Sequence, residues 1–163
     1  MELLSYIDRG GIIVYILIAM NIIGFTIMFA KTIILLIANS KIEQISDDIL
    51  QNLSNKDIAY IQSMVSLRVK KLEFGLDTVK IIATLSPLIG LLGTVVGILN
   101  SFDSITHLGL GDPTVFSSGI SIALITTVAG LIVAIPHYMG YNYIISFLDN
   151  IEIKIEKSVL EKV

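Results

Sequence analysis

Three long runs without a charge constrain this chain more than any other feature. Residues 10–30 make 21 consecutive uncharged positions, 81–102 make 22, and 113–148 make 36, the last interrupted by a single imidazole, His137. About 20 apolar residues cross a bilayer, so each run suffices for one crossing, and the third should project well beyond the membrane. Composition agrees. The chain has 163 residues, 54% hydrophobic and 15% charged, with a mean hydropathy of +0.84. That surplus is too large for one small water-soluble core, so lipid is the expected solvent and membrane lipid an expected partner. The fold class expected is an all-α membrane protein with three transmembrane helices and cytoplasmic helical extensions.

Several functions are excluded early. A net charge of −3 with 11 Lys and Arg gives no concentrated basic face for nucleic acid. With no cysteine and 2 histidines, disulfides, thiolate metal sites and His-rich metal sites drop out, and no cofactor is implied. An enzyme is not expected, because no nucleophile–base pair, phosphate loop or ligand cluster lies at membrane depth. The first run lacks a basic leader and a small-residue cleavage site, and reads as a retained anchor.

Basic residues set the expected orientation. Arg9 alone precedes the first run, while Lys41, Lys56, Arg68, Lys70, Lys71 and Lys80 lie between the first and second. The connection 103–112 has none, and the tail carries Lys154, Lys157 and Lys162. The expected layout is an outer N-terminus (1–9), a first span (10–38), a cytoplasmic helical loop (39–77), a second span (78–102), an outer turn (103–112), a third span (113–139) and a cytoplasmic helical tail (140–163). In the loop, Ile42, Ile45, Ile49 and Leu53 fall at helical spacing. Ser54-Asn55 then offers an N-cap for a run with Ile58, Ile61, Val65 and Leu72, which could continue unbroken into the second span. In the tail, Leu148, Ile151, Ile155 and Val159 extend the third span; the alternation in "IEIKIE" is outweighed by that longer helical register.

Within the spans, small residues recur at spacings of three and four. Ser86, Gly90, Gly93, Thr94, Gly97 and Ser101 form one narrow face of the second. Gly119, Ala123, Thr126, Thr127, Gly130 and Ala134 form another on the third. Lipid offers no hydrophobic drive for helix association, so small residues serve to bring backbones close. Another backbone, or an aqueous path, should lie against these faces. Thr94 and Thr127 either bond their own helix carbonyls or act as polar points along a path; spacing does not choose between them. No span has a carboxylate at mid-depth, where proton relays normally place one. Lys31 and Lys80 stand where their stems can snorkel, and His137, after Pro136, reads as an interfacial hydrogen-bonder.

"SPLIGLLGTVVGILNSF" followed by "GISIALITTVAGLIVAIPHYMGYN" resembles the ExbB/TolQ/MotA family of proton-channel subunits, the ExbB branch in particular. The resemblance covers roughly residues 73–147; residues 1–72 match in hydropathy alone. It implies a homopentamer whose second and third spans line a pore. An ExbD-like partner's helices would occupy that pore, with an aspartate carrying the proton. Such a complex, in the bacterial inner membrane, would energise a TonB-like protein for outer-membrane uptake. The family's pore threonines fall on Thr94 and Thr127, and its second-span proline on Pro87. Its third-span glutamate, in a Gly-Ile-x-Glu-Ala-Leu context, is replaced by Ile122: either that glutamate is dispensable in this branch, the partner's acid sufficing, or this subunit has lost transport, and the retained threonine stripe favours the first. A TolQ-like envelope role, a flagellar-type stator and a non-conducting membrane scaffold are the competing readings. The stator is the weakest of these, since such subunits usually carry four spans.

Overall fold

The computed structural model describes residues 2–51, 58–108 and 113–162, and these form five helices with no strand. They are α1 (Glu2–Ser40), α2 (Ile42–Gln51), α3 (Ile58–Glu73), α4 (Leu76–Leu108) and α5 (Pro113–Leu160). Three stretches are long and apolar enough to cross a membrane: Ser5–Ser40, Leu76–Ser104 and Ser117–Leu160. Only 17%, 33% and 33% of their most apolar windows is buried. Large side chains such as Phe29, Leu88, Leu99, Leu124 and Ile132 stand more than half exposed, a surface that water would not tolerate and lipid does.

Helix boundaries depart from the apolar runs where the backbone, not the pattern, decides. Gly11 sits at φ 62, ψ −155 inside α1, a region open essentially to glycine alone, and so separates 2–10 from the longer helix. The run through Leu72 does not continue unbroken into the second span. Gly75, at φ 93, turns the chain between α3 and α4. At the other end α5 is one helix of 48 residues carrying Pro136 in its interior, so "IEIKIE" is helical. Pro87 likewise lies inside α4. Leu53 and the Ser54-Asn55 cap fall outside the described residues, as do positions 109–112 between α4 and α5.

The chain divides into two compact units. One comprises 2–25 and 80–138. Its core centres on Leu17, Ile82 and Val133, with Ile13, Met20, Ile89 and Ala129 against them. The other comprises 26–79 and 139–162. There Leu35, Ile49, Ile61, Val65, Leu76, Leu148, Ile151 and Ile155 form an aliphatic core, each such side chain worth about 2 kcal/mol of burial against water. The tail stripe supplies this core in full, and the loop stripes do so through Ile42, Ile45, Ile49, Ile61, Val65 and Leu72, whereas Ile58 is exposed. In the same unit the Lys31 ammonium donates to the Leu72 carbonyl at 2.9 Å. It thereby satisfies one of the last carbonyls of α3 and sits at the negative end of that helix.

Candidate functional site

The two small-residue faces meet each other. In the unit formed by 2–25 and 80–138, α4 and α5 pack antiparallel, with Ser86 against Gly130 at one end and Ser101 against Gly119 at the other. A Cβ added at Gly90 would lie 2.8 Å from the Thr126 carbonyl oxygen, and one at Gly97 2.7 Å from that of Gly119. From the other side, a Cβ at Gly130 would lie 2.6 Å from the Ser86 carbonyl oxygen. Gly93 receives the Thr126 side chain. Glycine is needed because backbone fills the place of its missing side chain. Ser86, Ser101, Ala123, Thr126 and Ala134 are all buried along this seam, while Pro87 is half-buried.

The hydroxyls differ from one another. Ser86 donates to the Ile82 carbonyl at 2.6 Å, Ser101 to that of Gly97 at 3.1 Å, and Thr94 to that of Leu91 at 2.6 Å. Thr126 donates to the Ala123 and Ile122 carbonyls, at 2.9 and 3.1 Å. Each turns its donor back onto its own helix, the usual way to carry a hydroxyl at membrane depth. Thr127 does not: its Oγ1 is buried and has no partner. Leaving a hydroxyl so enclosed costs about 1–3 kcal/mol. Ile122, where the family's glutamate would stand, is half-buried.

Among the described residues two other buried polar atoms also lack partners, Asn21 Oδ1 and His137 Nε2. Both belong to the same unit as Thr127. Asn21 lines a cavity of about 520 Å³ whose walls include Val14, Leu17, Ile18, Leu124, Val128 and Ile132. Sequence reasoning missed Asn21, although a lone amide midway along an uncharged run was a visible signal. His137 is fully buried, its Nδ1 2.7 Å from the Val133 carbonyl oxygen. The ring is thus enclosed within the chain. No group of three or more His, Cys, Asp or Glu that could hold a metal occurs among the described residues.

What such an arrangement can do is offer one unsatisfied hydroxyl beside a tight helix seam, with no acid of its own at membrane depth. Several known proteins are similar to this chain in sequence. "Biopolymer transport protein exbB1" of Vibrio cholerae is 35% identical over 86 residues, 52% of this chain and 38% of that protein. "Biopolymer transport protein ExbB" of Aquifex aeolicus is 40% identical over 76 residues, 47% of this chain and 51% of that one. "Tol-Pal system protein TolQ" of Haemophilus influenzae is 30% identical over 103 residues, 63% and 45% respectively. The chain thus spans about half, or less, of the curated relatives it matches. The family model for MotA/TolQ/ExbB proton channels matches residues 30–157, taking in α2, α3, the α4–α5 seam and the unpaired Thr127. With three apolar helices long enough to span a bilayer and that match over most of its length, the chain belongs to the MotA/TolQ/ExbB proton channel family.

Proposed function

We propose that this chain is an ExbB-like subunit of an inner-membrane motor, acting as a homopentamer around an ExbD-like partner to energise a TonB-like protein for outer-membrane uptake. Its N-terminus lies in the periplasm and its tail in the cytoplasm. The observation that carries the reading is the buried, partnerless hydroxyl of Thr127, at the position of a family pore threonine. To meet water or the partner's carboxylate in the assembly, that hydroxyl must turn outward about its side chain, because its Oγ1 is enclosed within the single chain. Thr94 stands at the second pore position, half-buried and bonded to Leu91. The glycines on the inner faces of α4 and α5 hold the seam that positions both threonines and do not themselves form an open path.

The proton would reside on the partner's acid. Burial there disfavours the charged form, so the acid takes up a proton from one side and releases it where water is accessible on the other. Thr127 lowers the barrier by hydrogen bonding to the acid or to a water beside it. Ile122 leaves no competing carboxylate at the third-span position. Five equivalent seams around one partner would let each proton step favour rotation to the next.

The test is proton flux in proteoliposomes holding this chain and its partner. Thr127→Val should abolish flux with the complex still assembled, and Thr127→Ser should retain it. Thr126→Val, one residue away but turned onto its own helix, should leave at least half of the flux. Full flux in Thr127→Val would overturn the reading. The likeness to a TolQ protein, the longest match on this chain of the three described, favours an envelope-maintenance role as the second reading. Co-purification with a Tol partner in place of a TonB-like protein would decide for it.

A further inference from the structure

We infer that Leu67, Lys70, Lys71 and Phe74, on the outer face of the last turns of α3, bind the headgroups of anionic phospholipids at the bilayer surface. The other face of α3 is spent on the core: Ile61, Val65 and Val69 are buried, and Leu72 packs against the same cluster. At about 100° per residue, the four outer residues fall on the opposite side, within one arc of about 100°. The Phe74 amide donates to the Lys70 carbonyl at 3.2 Å, which keeps Phe74 in that register past the end of α3. Leu67 is 56% and Phe74 82% exposed, and both lysines are exposed. Among the described residues no carboxylate pairs with either lysine; the ion pairs of this unit join Arg68 to Asp48, Lys162 to Asp47 and Lys157 to Glu161. Glu73 lies about 120° round the helix from Leu67 and is half-buried. Asp77 sits in the first turn of α4, where the helix N-terminus favours a negative charge.

Three markers put this face at the edge of the hydrocarbon. Lys31 is the first charge after the uncharged run 10–30, and one crossing uses up about 20 apolar residues, so its ammonium marks the depth where headgroups begin. That ammonium donates to the Leu72 carbonyl at 2.9 Å, and its stem lies 3.8 Å from the Cβ position of Gly75. Phe74, between those two residues, stands at the same depth. On α5, Gly140 takes the Met28 side chain of α1, so Tyr141 and the exposed Tyr143 come level with Lys31 within about a turn. Aromatic rings collect at that boundary. An uncovered phenylalanine beside two unpaired ammonium groups is poorly placed in water and well placed at a membrane surface. The ring and Leu67 enter the acyl boundary while the lysine stems carry their charges out to the phosphates. Headgroups with net negative charge supply the counter-charge that the protein omits, and zwitterionic ones do not. The site holds whether or not Thr127 lines a path.

The chain has no tryptophan, so Phe74→Trp places a single indole in the patch. The full chain carrying it is reconstituted in phosphatidylcholine–phosphatidylglycerol vesicles in which one lipid or the other is brominated. Both brominated lipids should quench its fluorescence, and phosphatidylglycerol should quench more strongly at equal fraction. Adding Lys70→Gln and Lys71→Gln should remove that excess, the preference falling about fivefold for each lysine at low salt. Raised salt should shrink it in the natural patch. The inference is overturned by no quenching from either lipid, which would mean that water, a second copy or another protein covers the face. Equal quenching by both lipids overturns it too, as does an excess that survives both lysine substitutions. If Phe74→Trp disturbs the turn at Gly75, mass spectrometry of the lipids retained by the natural chain and by the double lysine variant reads the same preference.

Discussion

Gly11 and Gly130 are both glycines in helices, and substituting each should fail for opposite reasons. At Gly11 an added Cβ would meet nothing within 4 Å, but the backbone stands at φ 62 and ψ −155. Alanine there should destabilise the chain by about 1–3 kcal/mol through strain alone. Thermal unfolding in detergent would show this as a lowered midpoint, and an unchanged midpoint would mean that residues 2–10 simply re-form as a straight helix. The adjacent threonines show where reading from residues stops. Thr126 and Thr127 share one stripe and one spacing, and nothing in the amino-acid order separates them. In the structure one hydroxyl reaches two carbonyls of its own helix and the other reaches none. Resemblance to the family pointed to Thr127, and the geometry supplies a physical distinction for it. His137 meets the same limit: its position after Pro136 suggested an interface, and its contacts enclose it against Gly24 and Phe25.

At the scale of elements, the small-residue faces were legible because their purpose is steric and sterics repeat with the helix. What spacing left open was the occupant, and it is the backbone of the other helix in the same chain. Gly130→Ala tests the seam directly. Its new methyl would meet the Ser86 carbonyl oxygen at 2.6 Å and the Gly90 Cα at 3.1 Å, backbone on both counts, so neither can rotate away. Separation of α4 from α5 should cost about 1–3 kcal/mol, seen as a lower unfolding midpoint and as lost contacts between the two helices. Retention of both would show that the seam has slack that these distances do not allow. The apolar runs also foretold the long α5, since Leu148, Ile151, Ile155 and Val159 continue one register. They misled at the start of α4. Hydrophobic pattern carries no mark of a φ of 93 at Gly75, and the one available sign was the glycine itself.

Taken whole, the described residues leave most of the apolar span surface uncovered, and the three buried side-chain polar atoms among them that lack a partner all lie in the unit formed by 2–25 and 80–138. Thr127 is the one that the proposed function uses, and His137 is enclosed against Gly24 and Phe25. Asn21 is the third, and its substitution separates an internal defect from a contact that assembly completes. In the single chain its Oδ1 is enclosed beside a cavity walled by Val14, Leu17, Ile18, Val128 and Ile132. An amide acceptor without a donor in such surroundings costs about 1–3 kcal/mol, and apolar replacement of similar volume removes that penalty. Asn21→Leu should therefore raise the unfolding midpoint of the dispersed single chain. In the oligomer, a neighbouring copy's donor would reverse the sign, because polar contacts between membrane helices favour association by about 0.6–2 kcal/mol. The expected outcome is a more stable monomer together with a weaker oligomer, measured as unfolding in detergent and as subunit exchange in bilayers. A more stable monomer with unchanged exchange would confine Asn21 to the interior of one chain. A destabilised monomer would mean that the amide is already paired within the chain.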